Sequence, residues 1–151
     1  MSEAADAGGV LSARHTLQYT YRRSVGPILG RFFTALRERR IVGVRRADGT
    51  VMVPPREYDP ATGQALAEIV PVASEGTVVT WAWVQEPREK QPLDRPFAYA
   101  LILLDGADTP LLHAVDAGAM GRMRSGMRVR ARWRDETEGH IRDIACFEPE
   151  D

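Results

Sequence analysis

The chain has 151 residues, of which 44% are hydrophobic and 27% charged, so we expect one domain, or one small domain with an appendage. Its single cysteine, Cys146, excludes an internal disulfide and a cysteine-rich metal site. No apolar run approaches the roughly 20 residues that span a bilayer, and residues 1–9 lack the basic start and apolar stretch of a secretory signal. We therefore expect a soluble, cytoplasmic protein.

The formal net charge of −1 conceals a strongly basic segment near the start of the chain. Residues 21–46 hold eight arginines and one acidic residue, Glu38, which amounts to a local charge of +7. Acidic residues later in the chain compensate for this charge. We interpret the segment as part of a basic arm.

The first 40 residues are predicted to form a tail, an arm and a helix. Residues 1–12 have the composition of a disordered tail, and residues 13–40 hold the arm and the helix. Pro27 suits the first turn of a helix, and Arg39 and Arg40 suit its C-terminal end. The alternating apolar residues of the arm are Leu17, Tyr19 and Tyr21, and the residues of the apolar helical face are Ile28, Leu29, Phe32, Phe33 and Leu36.

A small hairpin is predicted within residues 41–66. Two short apolar strands flank a turn of the Asp-Gly type. Pro54 and Pro55 end the second strand because proline has no N–H to donate to a ladder. A turn-rich loop follows at residues 58–63.

Residues 67–151 are predicted to form a five-stranded barrel. Apolar residues alternate with arginines in the fourth strand, which is the clearest period-two pattern in the chain. A short helical piece at residues 117–124 separates the third and fourth strands. Five strands with a small helix after the third match the plan of an OB-fold, so the predicted fold class is mainly β. The predicted strands are residues 76–86, 97–104, 110–115, 127–134 and 140–147.

This order of helix, hairpin, Pro-Pro loop and barrel resembles the acyl-CoA-associated OB-fold family called domain of unknown function 35. The resemblance covers roughly residues 28–149. It implies an N-terminal helix, a rubredoxin-like zinc ribbon and a C-terminal OB-fold barrel. The stretches that carry it are residues 32–37 (FFTALR), 49–56 (GTVMVPPR), 76–81 (GTVVTW) and 125–129 (SGMRV).

In this family two Cys-x-x-Cys pairs hold the zinc ion of the ribbon. The matching positions here are Arg45, Asp48, Asp59 and Thr62, which cannot form a tetrahedral thiolate site. We therefore expect a degenerate ribbon at residues 41–66 and no bound metal. Asx-type turns at the two aspartates, or a salt bridge to them from Arg45 or Arg56, would hold the loops instead. Two ordinary turns are the alternative.

The sequence contains no recognisable catalytic constellation. His15, His113 and His140 are scattered, and we interpret His113 as a packed barrel residue. Cys146 follows apolar residues in the last strand and is interpreted as a buried thiol. The acidic cluster at residues 135–138 suits a solvated hairpin tip. We therefore predict no catalytic residue and no self-contained active site.

The resemblance implies a non-catalytic partner subunit of a thiolase-like or lipid-transfer-protein-like acyl-CoA enzyme, an aldolase or thiolase. Steroid side-chain or fatty acyl-CoA degradation is the implied setting. We expect a hetero-oligomer whose substrate is a coenzyme A thioester, with no cofactor bound by this chain. Arginine binds phosphate bidentately, so the candidate coenzyme A contacts are Arg45, Arg46 and Arg56. The candidate partner interface is Phe32, Phe33, Leu36 and Arg37.

The alternative is a stand-alone OB-fold module that binds nucleic acid or a small ligand. The candidate stacking aromatics are Trp81, Trp83, Tyr99 and Trp133, and the candidate basic stripe is Arg128, Arg130, Arg132 and Arg134. The aromatics equally suit the core, and the arginines a solvated strand face. An isoelectric point near 6.3 argues against nucleic acid, and we expect no membrane binding.

Overall fold

The computed structural model describes residues 12–151, so nearly all of the predicted tail lies outside the described residues. The described chain begins with a segment that has no helix or strand, followed by helix α1 (Pro27–Arg37). Among these residues no helix is both long and apolar enough to cross a membrane. A small antiparallel sheet follows in the order β2-β1-β3. Its strands are β1 (Ile41–Arg45), β2 (Val51–Met52) and β3 (Glu68–Val72).

The remaining five strands close into a barrel in the order β4-β5-β6-β8-β7. They are β4 (Glu75–Val84), β5 (Phe97–Leu104), β6 (Leu111–Val115), β7 (Arg128–Trp133) and β8 (Ile144–Pro149). β6 and β8 pair in parallel, and the other neighbours are antiparallel. This confirms the predicted mainly β fold with an OB-fold barrel.

The structure contains two short 3₁₀ helices, and the elements around them differ from the predicted bounds. Met120–Arg122 lies within the predicted helical piece between the third and fourth barrel strands. Ile141–Asp143 occupies the start of the last predicted strand, so that strand begins at Ile144 rather than at residue 140. The side chain of Asp143 accepts hydrogen bonds from the backbone N–H groups of residues 138–140, which favours a turn there.

β3 is a strand that the sequence did not predict, and it carries Pro71. It pairs along its whole length with β1, from Ile41 opposite Val72 to Arg45 opposite Glu68. An edge strand tolerates proline because one of its two sides has no ladder partner. Residues 68–72, which the sequence assigned to the barrel domain, therefore complete the small sheet.

A continuous hydrophobic core joins the helix, the small sheet and the barrel. α1 contributes Phe32 and Leu36, the small sheet Ile41, and the barrel Ile102 and Phe147. Each of these side chains is at most 2% exposed. The helix is therefore an integral part of the fold.

Candidate functional site

The loops at the predicted ribbon positions are tied together by Arg46. Its Nε and Nη2 each donate to one carboxylate oxygen of Asp59, and both hydrogen bonds are 3.1 Å long. Its Nη1 lies 3.3 Å from Oδ2 of Asp48. The salt bridge therefore comes from Arg46, and the prediction that Arg45 or Arg56 supplies it is wrong. Arg45 instead pairs with Glu68 on β3 at 3.1 Å.

Both aspartates also form the predicted Asx-type turns. Oδ1 of Asp48 accepts from the backbone N–H of Thr50 at 3.0 Å and from its hydroxyl at 2.6 Å. Oδ1 of Asp59 accepts from the N–H of Ala61 at 2.8 Å. The bond from the Thr50 hydroxyl lowers the pKa of Asp48, and the bond from Arg46 lowers that of Asp59. Both carboxylates are therefore held in the charged form.

These residues do not fit a zinc ion. A guanidinium group lies between the two carboxylates and already pairs with both, and Arg45 and Thr62 supply no thiolate or imidazole. Within residues 12–151 no group of three or more His, Cys, Asp or Glu side chains could hold a metal. In this part of the fold, an ion pair holds the two loops together.

The N-terminus of α1 is capped by a side chain from outside the helix. Oε1 of Glu57 accepts from the backbone N–H groups of Ile28 and Leu29 at 2.9 and 3.0 Å. Gly26, which precedes the helix, has a φ of +86°, and a Cβ there would lie 2.5 Å from the same oxygen. Glycine at this position therefore makes room for the cap.

Residues 12–25, here called the N-terminal arm, belong to no helix or strand and are all exposed. Leu17, Tyr19 and Tyr21 are 67%, 75% and 79% exposed, so the rest of the described chain leaves them uncovered. The Glu57 cap brings two further exposed residues, Arg56 and Tyr58, to the point where the arm joins α1. Exposed apolar groups of this size in one segment are typical of a protein-binding surface.

The predicted interface on α1 needs correction at two of its four residues. Phe32 and Leu36 are 2% and 0% exposed because the apolar face of the helix packs inside the chain, so they cannot contact a partner. Phe33 is half-buried against the same core. Arg37 is exposed, and its Nη2 donates to the carbonyl oxygen of Glu138 at 3.3 Å. The sequence showed the buried face of the helix but not what covers it.

The predicted coenzyme A contacts are not equivalent in the structure. Arg45 and Arg46 are engaged by acidic residues of this chain. Arg56 is exposed, and we find no ion pair to it within residues 12–151. Of the three, Arg56 is the residue whose side chain is available to a phosphate group.

The predicted basic stripe on β7 is largely neutralised by ion pairs. The pairs are Arg128 with Asp105 and Glu150, Arg130 with Glu148, and Arg132 with Glu148 and Asp116. The Arg128–Asp105 pair is bidentate, at 2.7 and 2.6 Å, and it lowers the pKa of Asp105. These contacts favour the interpretation of a solvated strand face over a nucleic-acid surface.

The candidate stacking aromatics are all partly buried. Trp81, Trp83 and Trp133 are half-buried and pack against the core. Tyr99 contacts Phe97 edge-on, with ring centroids 4.9 Å apart. These positions favour the core interpretation of the aromatics.

His113, His140 and Cys146 are each held by packing or by hydrogen bonds within the chain. His113 is 8% exposed and lies edge-on to Phe147, and desolvation lowers its pKa so that the ring is neutral. His140 Nδ1 accepts from the backbone N–H of Arg142 at 3.1 Å. Burial raises the pKa of Cys146 to about 11, so its thiol is protonated at neutral pH. The buried positions predicted for His113 and Cys146 are confirmed.

Comparisons with known proteins agree with this architecture. Residues 69–134 match a family model described as the C-terminal OB-fold domain of ChsH2. The chain is similar to one in the solved Ltp2-ChsH2(DUF35) aldolase, with a TM-score of 0.61 and 24% identity over 85% of this chain and 98% of that one.

It is also similar to a protein of unknown function from the DUF35 family of Sulfolobus solfataricus. The TM-score is 0.58, at 23% identity over 71% of this chain and 77% of the other. No curated protein sequence gives a significant match.

Proposed function

We propose that this chain, whose residues 69–134 match the family model of the C-terminal OB-fold domain of ChsH2, is a non-catalytic partner subunit of an Ltp2-like enzyme. The partner would have a thiolase-like or lipid-transfer-protein-like fold and act as an aldolase or thiolase on a coenzyme A thioester. Steroid side-chain or fatty acyl-CoA degradation is the proposed setting. The similar chain in the Ltp2-ChsH2(DUF35) aldolase supports this choice of partner.

The exposed N-terminal arm is the observation that carries the proposal. Leu17, Tyr19 and Tyr21 occupy every second position, so in an extended segment they lie on the same side. An extended segment of this kind binds by adding a strand to a sheet edge or by lying in a groove. Full burial of each side chain would contribute about 1.5–3 kcal/mol.

The charge around the arm suits an acidic or phosphorylated counterpart. Arg14, Arg22 and Arg23 lie within the arm, and Arg56 lies at its root. Arginine forms bidentate hydrogen bonds with carboxylates and phosphates alike. We propose that Arg56 contacts a phosphate of coenzyme A held mainly by the partner, because Arg45 and Arg46 are already paired.

Co-purification tests the role of the arm. The chain would be expressed with the thiolase-like or lipid-transfer-protein-like enzyme encoded beside it, and the complex isolated through a tag on that enzyme. We expect the double variant Tyr19→Asp, Tyr21→Asp to lose co-purification while its circular dichroism spectrum stays unchanged. The fold should persist because both side chains are exposed in the free chain.

The control is Met120→Asp, which places one negative charge on a 55% exposed apolar residue outside the arm. The control should co-purify as the wild type does. If the arm variant still co-purifies at wild-type yield, the arm is not the docking segment. If the wild-type chain itself fails to co-purify, the proposed partnership is wrong.

A further inference from the structure

A pocket of about 410 Å³ lies on the barrel, and its lining includes no residue of the arm or of the Arg46 ion pair. It is bounded by the β4–β5 loop, by β6 and by the β7–β8 loop. Counted along the chain, these are the loop between the first two barrel strands, the third strand, and the loop between the fourth and fifth. OB-folds commonly bind ligands with these same elements.

The floor of the pocket is apolar. Leu93, Tyr99, Leu112 and Ile141 line it together with the buried His113. Nδ1 of His113 accepts from the backbone N–H of Ala114 at 2.9 Å, so the ring is already hydrogen-bonded within the strand. Leu112 is 61% exposed, so this part of the apolar floor is accessible to a ligand. Such a floor suits a hydrocarbon or aromatic body.

The rim of the pocket is cationic. Lys90, Arg134 and Arg142 line it, and no aspartate or glutamate is among its lining residues. None of the three forms an ion pair within residues 12–151, whereas Arg128, Arg130 and Arg132 on β7 are all paired. Three like charges around one apolar hollow attract an anionic group.

Lys90 is also held in an uncommon backbone conformation, with a φ of +75°. A turn supports it, because the N–H of Arg88 donates to Oε1 of Gln91 at 2.8 Å and the N–H of Gln91 to the carbonyl of Arg88 at 3.1 Å. Non-glycine residues in this conformation cluster at ligand sites. The turn places Lys90 and Gln91 together in the pocket lining.

We propose that this pocket binds a small amphipathic anion, with a ring or acyl body on the apolar floor and a phosphate, sulfonate or carboxylate at the cationic rim. The volume lies within the usual range for small-molecule sites, about 300–1,000 Å³. A single-stranded oligonucleotide fits less well, because Trp81, Trp83 and Trp133 pack against the core instead of forming a stacking platform. The inference is independent of the proposed partner role, since it concerns the chain alone.

Fluorescence titration of the full purified chain with 8-anilinonaphthalene-1-sulfonate tests the proposal. We expect saturable binding that weakens at least tenfold in the double variant Arg134→Gln, Arg142→Gln. Raising the salt concentration should weaken binding to the wild type, since exposed charge contacts are screened. The matched control is Arg31→Gln, Arg124→Gln, which removes two exposed cations outside the pocket lining and should bind within twofold of the wild type.

Three further measurements make the test decisive. The uncharged analogue N-phenyl-1-naphthylamine should bind wild type and rim variant alike. Amide NMR shifts on adding the sulfonate should centre on residues 112–114 and 141–142. Leu112→Asp should weaken binding of the sulfonate, because it places a charge in the apolar floor. Equal loss in the control variant, shifts centred elsewhere, no binding by the wild type, or displacement of the sulfonate by micromolar oligothymidylate would overturn the proposal.

Discussion

The guanidinium group of Arg46 lies between the carboxylates of Asp48 and Asp59, two of the four positions that the sequence analysis matched to zinc ligands. A guanidinium group there repels a second cation and has no lone pair of its own to bind it. We therefore predict that purified protein contains no stoichiometric zinc. Elemental analysis before and after EDTA treatment checks this, and one zinc per chain that survives EDTA would refute it.

The same ion pair predicts how stability depends on pH. The pKa of Asp59 is lowered in the folded state by its hydrogen bond to Arg46, so its stabilising effect is present at neutral pH. That effect is lost as the pH falls below the ordinary aspartate value of about 4.

Asp59→Asn should lower the midpoint of thermal unfolding at pH 7. It should also make the fall of this midpoint between pH 7 and pH 3 smaller than in the wild type. Asp48→Asn is the control, because the Asp48 side chain is 53% exposed and should matter less. If the two variants have equal midpoints of thermal unfolding, the prediction is wrong.

The choice between Arg45 and Arg46 shows what the sequence could and could not predict at this scale. The Asx turns at Asp48 and Asp59 follow from residue type alone and were predicted correctly. Neighbouring strand residues point to opposite faces, so the arginine that meets Asp59 depends on strand register. Arg45 turned out to face Glu68 on β3, a strand hidden from prediction by Pro71.

At the scale of elements, the helix was predictable and its surroundings were not. The spacing of apolar residues marks a buried face, but it cannot distinguish a face covered by the same chain from one covered by a partner. Phe32 and Leu36 prove to be covered by the chain's own core. The cap from Glu57 joins residues 29 positions apart, a separation at which local capping rules carry no signal.

Removing that cap gives a prediction for the helix. Glu57→Ala leaves the N–H groups of Ile28 and Leu29 without their acceptor, and should reduce the free energy of unfolding by about 1 kcal/mol. Urea denaturation followed by circular dichroism measures this change. Arg56→Ala, a truncation of the exposed neighbouring residue, should have a much smaller effect. If both variants unfold at the wild-type urea concentration, the cap does not stabilise α1.

At the scale of the whole molecule, the barrel could be predicted because its strands carry period-two patterns or continuous apolar runs. β5 matches its predicted bounds, residues 97–104. The pocket could not be predicted, because it joins two loops and a strand from residues 90–145 through barrel closure. The ion pair of Arg128 on β7 with Asp105 also depends on closure, since Asp105 follows β5.

The last prediction concerns catalysis in the proposed complex. If this chain only supports its partner, no side chain of its barrel should be needed for proton transfer or nucleophilic attack. His140 accepts a hydrogen bond from the backbone N–H of Arg142, and the thiol of Cys146, with a pKa of about 11, is protonated at neutral pH.

The variants His113→Gln, His140→Ala and Cys146→Ala test this in the reconstituted complex. Their turnover should stay within about tenfold of wild type, a barrier change of about 1.4 kcal/mol. Loss of a general base would typically slow turnover by about 10²–10⁴-fold. Steady-state assays at saturating thioester, on complexes shown by gel filtration to be intact, distinguish the two. An intact complex that one of these changes slows more than 100-fold would mean that this chain contributes chemistry of its own.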